Sequence, residues 1–166
     1  AKEIRENMTK EFPNDVRGYY KDFPLTMIHP WSMSGAIAGR CIFRSNPEAF
    51  WEFHDWIFDK QTEITPENLQ AKITEWASSK GVDTLQLTRC MESRATEKEV
   101  RASMAEGLSL GIDRTPTLFI NGRKMEASQW QTIANVIRYE LDYQKTAANA
   151  GEKCCEVTIP GMVKQK

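Results

Sequence analysis

A proline, a short apolar run and an Asn-Gly pair follow one another over Thr115–Gly122, and no other stretch of the sequence constrains the fold as strongly. Proline has no N–H to donate, so Pro116 at the start of a strand costs no ladder hydrogen bond. Asn121-Gly122 favours a two-residue turn in which both residues adopt positive φ. The stretch therefore predicts a β-hairpin with strands from Thr117 to Ile120 and from Arg123 to Glu126.

Apolar side chains recur at helical spacing through most of the remaining chain, and residues that favour helix N-termini precede several of these stripes. The pattern predicts a first helix, five helices between His29 and Gly111, and a final helix opened by a Ser128-x-x-Gln131 capping box. The predicted starts of the five central helices are His29-Pro30-Trp31, Asn46-Pro47, Thr65-Pro66, Asp83-Thr84 and Thr96.

The first helix is already running at Ala1, with Ile4, Met8 and Phe12 on one stripe and no capping residue ahead of it. We interpret this start as a cut inside or just before a helix, with a frayed natural terminus as the alternative. A strand is predicted from Val16 to Leu25, because this segment is rich in Val, Tyr and Phe with polar residues interleaved. The segment from Glu156 to Pro160 fits either a short strand or an ordered tail.

Composition excludes several classes of function. A net charge of −1 with interspersed acidic and basic residues offers no basic face for nucleic acid. No apolar run approaches the ~18–20 residues of a membrane-spanning helix, so membrane insertion is not expected. No G-x-G-x-x-G pattern occurs, which leaves no nucleotide or flavin fingerprint, and no separate cofactor is expected.

Four segments of the chain, taken together and in order, identify a family. They are Val16-Arg17-Gly18-Tyr19-Tyr20-Lys21-Asp22-Phe23-Pro24-Leu25, Phe50-Trp51-Glu52-Phe53-His54-Asp55-Trp56-Ile57-Phe58, Gly81-Val82-Asp83, and Gly111-Ile112-x-x-Thr115-Pro116-Thr117-Leu118-Phe119-Ile120-Asn121-Gly122. They resemble a strand, an insertion helix, a turn and the proline loop of DsbA-like thiol–disulfide oxidoreductases, and the similarity covers roughly residues 1–141. The resemblance implies an α/β, thioredoxin-like fold with an inserted helical block, here lacking the N-terminal central strand.

The same resemblance implies a division of the chain. Residues 1–145 are expected to form a partial thioredoxin-like domain that includes the helical insertion at about 29–111, and residues 146–166 a C-terminal tail. The absent strand would lie centrally and leave two strand edges open, which favours a domain-swapped or strand-exchanged dimer, or replacement by the tail.

The family places a C-x-x-C pair at the N-terminus of its first core helix, where the helix dipole lowers the thiol pKa. None of the four cysteines of this chain belongs to such a pair, so the motif is expected upstream of Ala1 and no catalytic residue is expected within the chain. The resemblance assigns substrate binding to Thr115 and Pro116. Pro116 would be a cis-proline that lets an extended substrate pair with the backbone of Thr115, and an ordinary trans-proline at a strand edge is the alternative.

Cys41 and Cys90 lie on apolar faces of two predicted helices, and because the family generally works outside the cytoplasm they are expected to form a structural disulfide. Two buried free thiols are the alternative. Cys154 and Cys155 fit unremarkable tail thiols, a vicinal disulfide, an interchain pair or a soft-metal site, but no ligand set for a metal is visible. His54, within an aromatic helix, is interpreted as a packed, hydrogen-bonded histidine. His29 is interpreted as part of a helix entry, with a place at the border of a substrate groove as the alternative.

The function implied is the C-terminal portion of a thiol–disulfide oxidoreductase that acts on exported polypeptides in the periplasm or another extracytoplasmic space. The chain alone is expected to be inactive, because it lacks C-x-x-C. Two alternatives remain open: a redox-inactive thioredoxin-like module that binds extended peptides, and, ranked last, a metal-handling protein that uses Cys154-Cys155. The residues upstream of Ala1 separate the enzyme from the binding module.

Overall fold

The computed structural model describes residues 2–125 and 129–149. Its elements are α1 (Lys2–Glu11), α2 (Ser32–Ser45), α3 (Pro47–Asp59), α4 (Leu69–Ser79), α5 (Thr84–Glu92), α6 (Glu97–Ser109), β1 (Leu118–Ile120), β2 (Arg123–Met125) and α7 (Trp130–Asn149). The helices and the hairpin follow one another in the predicted order, but the strand predicted between the first two helices is not among the elements. The chain divides into two compact units, one of residues 1–18 with 116–166, the other of residues 19–115.

The first unit contains α1, the hairpin and α7. Strands β1 and β2 are antiparallel, and Asn121 and Gly122 form the turn between them with φ values of 46° and 82°. Both values are positive, as the Asn-Gly pair predicts. The buried side chains of this unit are Phe12, Ile133, Ala134 and Ile137, with Ile4, Val16, Leu118, Ile120, Trp130 and Leu141 packed against them. The apolar stripes of α1 and α7 and one face of β1 thus share one core.

The second unit is built from α2 to α6 around a core of aliphatic and aromatic side chains. Its largest fully buried members include Phe53, Ile37, Ile42, Ile73 and Val100. Two predicted helix starts are confirmed by their caps. The Asn46 side chain accepts a hydrogen bond from Ala49 N at 3.2 Å, and the Asp83 side chain accepts one from Gln86 N at 2.9 Å.

Two other helix starts lie later than the sequence predicts. Helix α2 begins at Ser32, so Pro30 precedes the helix instead of occupying its first turn. Helix α4 begins at Leu69, after a turn in which Thr65 N donates to Asn68 Oδ1 and Asn68 N donates to Thr65 Oγ1. Because these reciprocal bonds already satisfy the backbone donors, the residues around Pro66 form a turn that leads into the helix.

The predicted strand from Val16 to Leu25 is wrong for the structure as described, because residues 16–25 carry no regular secondary structure. A strand requires a ladder partner, and within the described residues the hairpin is a two-stranded sheet that does not include this segment. β-propensity alone does not form a strand. The segment instead attaches to helices through single side chains, among them Lys21, which bonds Glu106 at 2.7 Å.

One of these attachments can be tested at Gly107 on α6. A Cβ placed there would lie 2.7 Å from Phe23 Cδ2 and 2.8 Å from Cε2. We expect Gly107→Ala to lower the free energy of unfolding by about 1–3 kcal/mol, despite the gain of roughly 1 kcal/mol in helix propensity, because the ring must move. Urea denaturation measures the change.

Gly18→Ala is the matched control, since its Cβ would also meet an atom at 2.7 Å, but that atom is the terminal methyl of Met8. A flexible methionine can rotate away, so this variant should stay within about 0.5 kcal/mol of the parent. Equal losses in both variants would show that Phe23 does not confine Gly107.

Candidate substrate-binding loop and its surroundings

The Thr115–Pro116 loop lies between the end of α6 and the start of β1. Gly111, with a φ of 65°, closes the C-terminus of α6, and the chain then bends through residues 114–116. Thr115 and Pro116 are both exposed, and the ladder of β1 begins two residues after the proline, at Leu118. The loop therefore presents its side chains to solvent, and the missing N–H of Pro116 costs the hairpin nothing. Substrate binding by these two residues stays a prediction.

The strand that follows the loop is anchored on one face and open along one edge. Leu118 and Ile120 pack against the core that contains α7. Strand β2 is hydrogen-bonded to β1 along one edge. Among the described residues no strand other than β2 pairs with β1. Its outer edge therefore keeps backbone groups that another extended segment can use.

The structure contains the disulfide between Cys41 and Cys90. It joins α2 to α5 across 49 residues, with the two Cα atoms 6.0 Å apart, as is usual for disulfides. Cys41 is 3% exposed, whereas Cys90 is partly exposed. The side chain of Thr96, which is fully buried, lies beside the bridge with Oγ1 at 3.8 Å from Cys41 Sγ.

No metal centre is formed within residues 2–125 and 129–149, where no cluster of three His, Cys, Asp or Glu side chains could hold an ion. Cys154 and Cys155, the tail from Glu156 to Pro160 and the Ser128 cap lie outside the described residues. What was predicted for them stays a prediction.

The two histidines have different surroundings. His54 is 5% exposed, and its ring centre lies 4.9 Å from that of Phe58 and 5.1 Å from that of Tyr20. Its Nδ1 is 3.1 Å from Asp55 Oδ1, so the packed, hydrogen-bonded histidine expected from the sequence is present. His29 is partly exposed and its ring centre is 5.5 Å from that of Trp31.

A buried ion pair lies in the second unit, and sequence reasoning missed it. Asp22, 5% exposed, accepts a hydrogen bond of 2.5 Å from Arg40 Nε on α2. Arg40 Nη1 also donates to Glu99 on α6 at 3.3 Å, and Glu99 pairs in addition with Arg44. One guanidinium thus ties the segment of residues 16–25 to two helices.

Burial is the largest influence on the pKa of Asp22. Burial raises the pKa of the Asp22 carboxyl, and this effect exceeds the opposing attraction and hydrogen bond from Arg40, while Glu99 adds a small rise. The sequence signal was an aspartate among the aromatic residues Tyr19, Tyr20 and Phe23. Asp22 lies 18 residues from Arg40, and Arg40 lies 59 residues from Glu99, so no local spacing identifies these partners.

Comparison with known proteins points to one family. A family model described as Thioredoxin matches residues 2–138. The protein named Na(+)/H(+) antiporter NhaA 1 from Salinispora arenicola (strain CNS-205) is 33% identical over 128 residues, which are 75% of this chain and 18% of the antiporter. The probable disulfide bond formation protein D of Bacillus anthracis is 28% identical over 111 residues, and disulfide bond formation protein D of Bacillus subtilis (strain 168) is 24% identical over 116.

Each match covers a larger share of this chain than of the relative. They include 64% and 66% of this chain, but the chain spans only about half the length of the two Bacillus proteins, 50% and 51%. No solved structure matches the chain significantly. Across the part of the chain that the structure describes, no helix has the length and apolar composition needed to cross a bilayer.

Proposed function

The chain belongs to the thioredoxin family of thiol–disulfide oxidoreductases, and on that premise we propose that it is the C-terminal portion of an enzyme that exchanges disulfides with exported polypeptides. The observation that carries the proposal is the exposed Thr115–Pro116 loop, which leads directly into β1. An extended polypeptide can pair with the main chain of Thr115 through hydrogen bonds that recognise backbone and not sequence.

Within this proposal the loop and the catalytic sulfurs have separate tasks. A C-x-x-C pair upstream of Ala1 supplies a thiolate, which attacks a substrate disulfide and forms a mixed disulfide while one substrate thiol leaves. The second cysteine then attacks the mixed disulfide, closes the C-x-x-C disulfide and releases the other substrate thiol. Pro116, in the cis form, keeps the backbone of Thr115 available to the substrate. The cysteine pair is itself the redox group, so no further cofactor is required.

We also propose an extracytoplasmic location for the whole protein. The Cys41–Cys90 disulfide supports it, because bridges of this kind persist in oxidising compartments and are rare where glutathione and thioredoxin keep thiols reduced. A strand-exchanged dimer remains part of the proposal, supported by the open edge of β1.

The binding role is tested by placing a large side chain on the loop. We expect Thr115→Arg to weaken binding of a fluorescently labelled, reduced and carboxymethylated polypeptide by at least about tenfold, measured by anisotropy with the 166-residue chain. The reason is that arginine covers the backbone beside Pro116, and the loss of about 1.4 kcal/mol corresponds to two main-chain hydrogen bonds.

Thr62→Arg, at an exposed turn after α3, is the matched control and should bind like the parent. Equal affinity in both variants would contradict the proposed site. A second arm uses the protein extended upstream of Ala1. If that protein exchanges disulfides and Thr115→Arg slows the exchange, the result supports the proposed enzyme. Peptide binding without any exchange would favour the redox-inactive module.

A further inference from the structure

Beyond the pair expected upstream, we propose that Cys41–Cys90 is a second site of thiol exchange, at which an incoming thiol attacks Cys90 and releases α5 from α2. The first argument is the difference in exposure of the two cysteines. Cys41 is 3% exposed within the main core, whereas Cys90 is partly exposed in the last turn of α5. Because exchange requires access to the sulfur that is attacked, the more exposed Cys90 is the cysteine of the bridge at which we expect a thiol from solvent to attack.

The second argument is that the reduced form of Cys41 has a hydrogen-bond acceptor waiting for it. Thr96 Oγ1 donates its one proton to Ile37 O at 3.0 Å and lies 3.8 Å from Cys41 Sγ. A disulfide sulfur carries no proton, so the free lone pairs of this hydroxyl gain nothing from the bridge. Once Cys41 is a thiol, its S–H can donate to Thr96. The buried side of the site thus accommodates both redox states.

The third argument concerns the element that the bridge holds. Leu87 is the one buried residue of α5, while Cys90 and Met91 are only partly buried against the core. Neighbouring helices bury more, for example α3 with Phe53 and Ile57 among its buried residues. Opening the bridge therefore removes the cross-link between α5 and α2 and leaves α5 held by noncovalent packing, so we expect α5 to loosen without loss of the surrounding core.

The exchange balances as follows, with a small monothiol such as glutathione as the reductant. Its thiolate forms a bond to Cys90 Sγ as the Cys41–Cys90 bond breaks, and the leaving electron pair on Cys41 Sγ takes up one proton. A second glutathione thiolate then attacks the glutathione sulfur of this mixed disulfide. The products are oxidised glutathione, a Cys90 thiol after protonation, and a Cys41 thiol.

The test identifies which sulfur is attacked. It uses the full chain with Cys154→Ser and Cys155→Ser, so that Cys41 and Cys90 are the cysteines that can react. The oxidised protein is incubated with reduced glutathione in native buffer, quenched with acid, alkylated and mapped by mass spectrometry. We expect glutathione on Cys90 and alkylation on Cys41, in at least about tenfold excess over the reverse arrangement, while the far-ultraviolet circular dichroism keeps most of its helical signal. Glutathione on Cys41, or a bridge that opens only in denaturant, would overturn the proposal.

Variants at Thr96 test its role as the acceptor. In a glutathione redox buffer, Thr96→Val should shift the equilibrium about fivefold towards the disulfide, because the reduced form loses its hydrogen bond. Thr96→Ser keeps the hydroxyl and should stay within about twofold of the parent. Equal shifts in both variants would remove Thr96 from the site. If Thr96→Val does not fold, the position of the glutathione adduct in the parent still decides between exchange and an inert bridge.

Discussion

Replacing Arg40 with methionine is expected to lower the free energy of unfolding by about 3–5 kcal/mol at neutral pH, measured by urea denaturation. The substitution leaves the Asp22 carboxylate 5% exposed and without the cation that now bonds it at 2.5 Å. Methionine keeps most of the apolar stem of arginine, so the loss reports on the charge and not on packing. Among single substitutions in this chain it is expected to be one of the most damaging.

Asp22→Asn is the matched variant and should cost only about 1 kcal/mol. Its amide oxygen still accepts from Arg40, and the remaining guanidinium is 26% exposed on its side chain and retains Glu99. The double variant Asp22→Asn with Arg40→Met should regain most of the loss, because neither charge is then buried alone. Losses that simply add in the double variant would show that the two side chains do not interact.

The pH dependence follows from the raised pKa of Asp22. A carboxyl whose pKa is higher in the folded protein than its ordinary 3.8 favours folding in acid, and that contribution is lost as the pH rises through the folded value. Removing Arg40 raises the pKa further, so the deficit of Arg40→Met should shrink from neutral pH towards about pH 4. In the double variant the same interval should show no such change. A deficit that grows in acid would contradict this account.

Replacing both Cys41 and Cys90 with alanine is expected to lower the free energy of unfolding by about 4 kcal/mol relative to the oxidised chain. The estimate follows from the entropy that a 49-residue loop restores to the unfolded state when the bridge is absent. Denaturation in urea should also show a larger m-value, since an unfolded chain without the bridge exposes more surface.

The parent protein kept in excess reductant is the control, and its unfolding midpoint should approach that of the double variant. If the double variant is as stable as the oxidised parent, the disulfide forms in the folded protein but does not raise its free energy of unfolding. Typical domains have 5–15 kcal/mol to lose, so a loss of this size is compatible with a reduced chain that stays folded. That is also what exchange at Cys90 requires.

Features that depend on neighbouring residues could be predicted from the sequence. Helices start at Asn46-Pro47 and Asp83-Thr84 because each capping side chain accepts a hydrogen bond from the amide three residues further on. Asn121-Gly122 turns the hairpin because these two residues tolerate positive φ. The order of the helices and the hairpin follows from such local signals, because each signal depends only on neighbouring residues.

Features that depend on distant partners could not be predicted from the sequence. Residues 16–25 have the composition of a strand, but composition does not supply the second strand that a ladder requires. The bond between Asp22 and Arg40 joins an irregular segment to a helix, and no periodicity relates them. The bridge between Cys41 and Cys90 had two free thiols as its alternative, and the family resemblance favoured the bridge.

The tryptophans divide unequally between the two compact units, and this gives the protein an internal optical probe. Trp31, Trp51, Trp56 and Trp76 lie in the unit of residues 19–115, and Trp130 belongs to the other. Trp130 Nε1 donates to Glu11, so its emission senses the junction of α1 with α7. Subtracting the fluorescence of Trp130→Phe from that of the parent during denaturation therefore gives the signal of Trp130 and of its unit. The signal of Trp130→Phe itself comes from the other unit. If the two unfolding curves do not coincide, the units unfold separately.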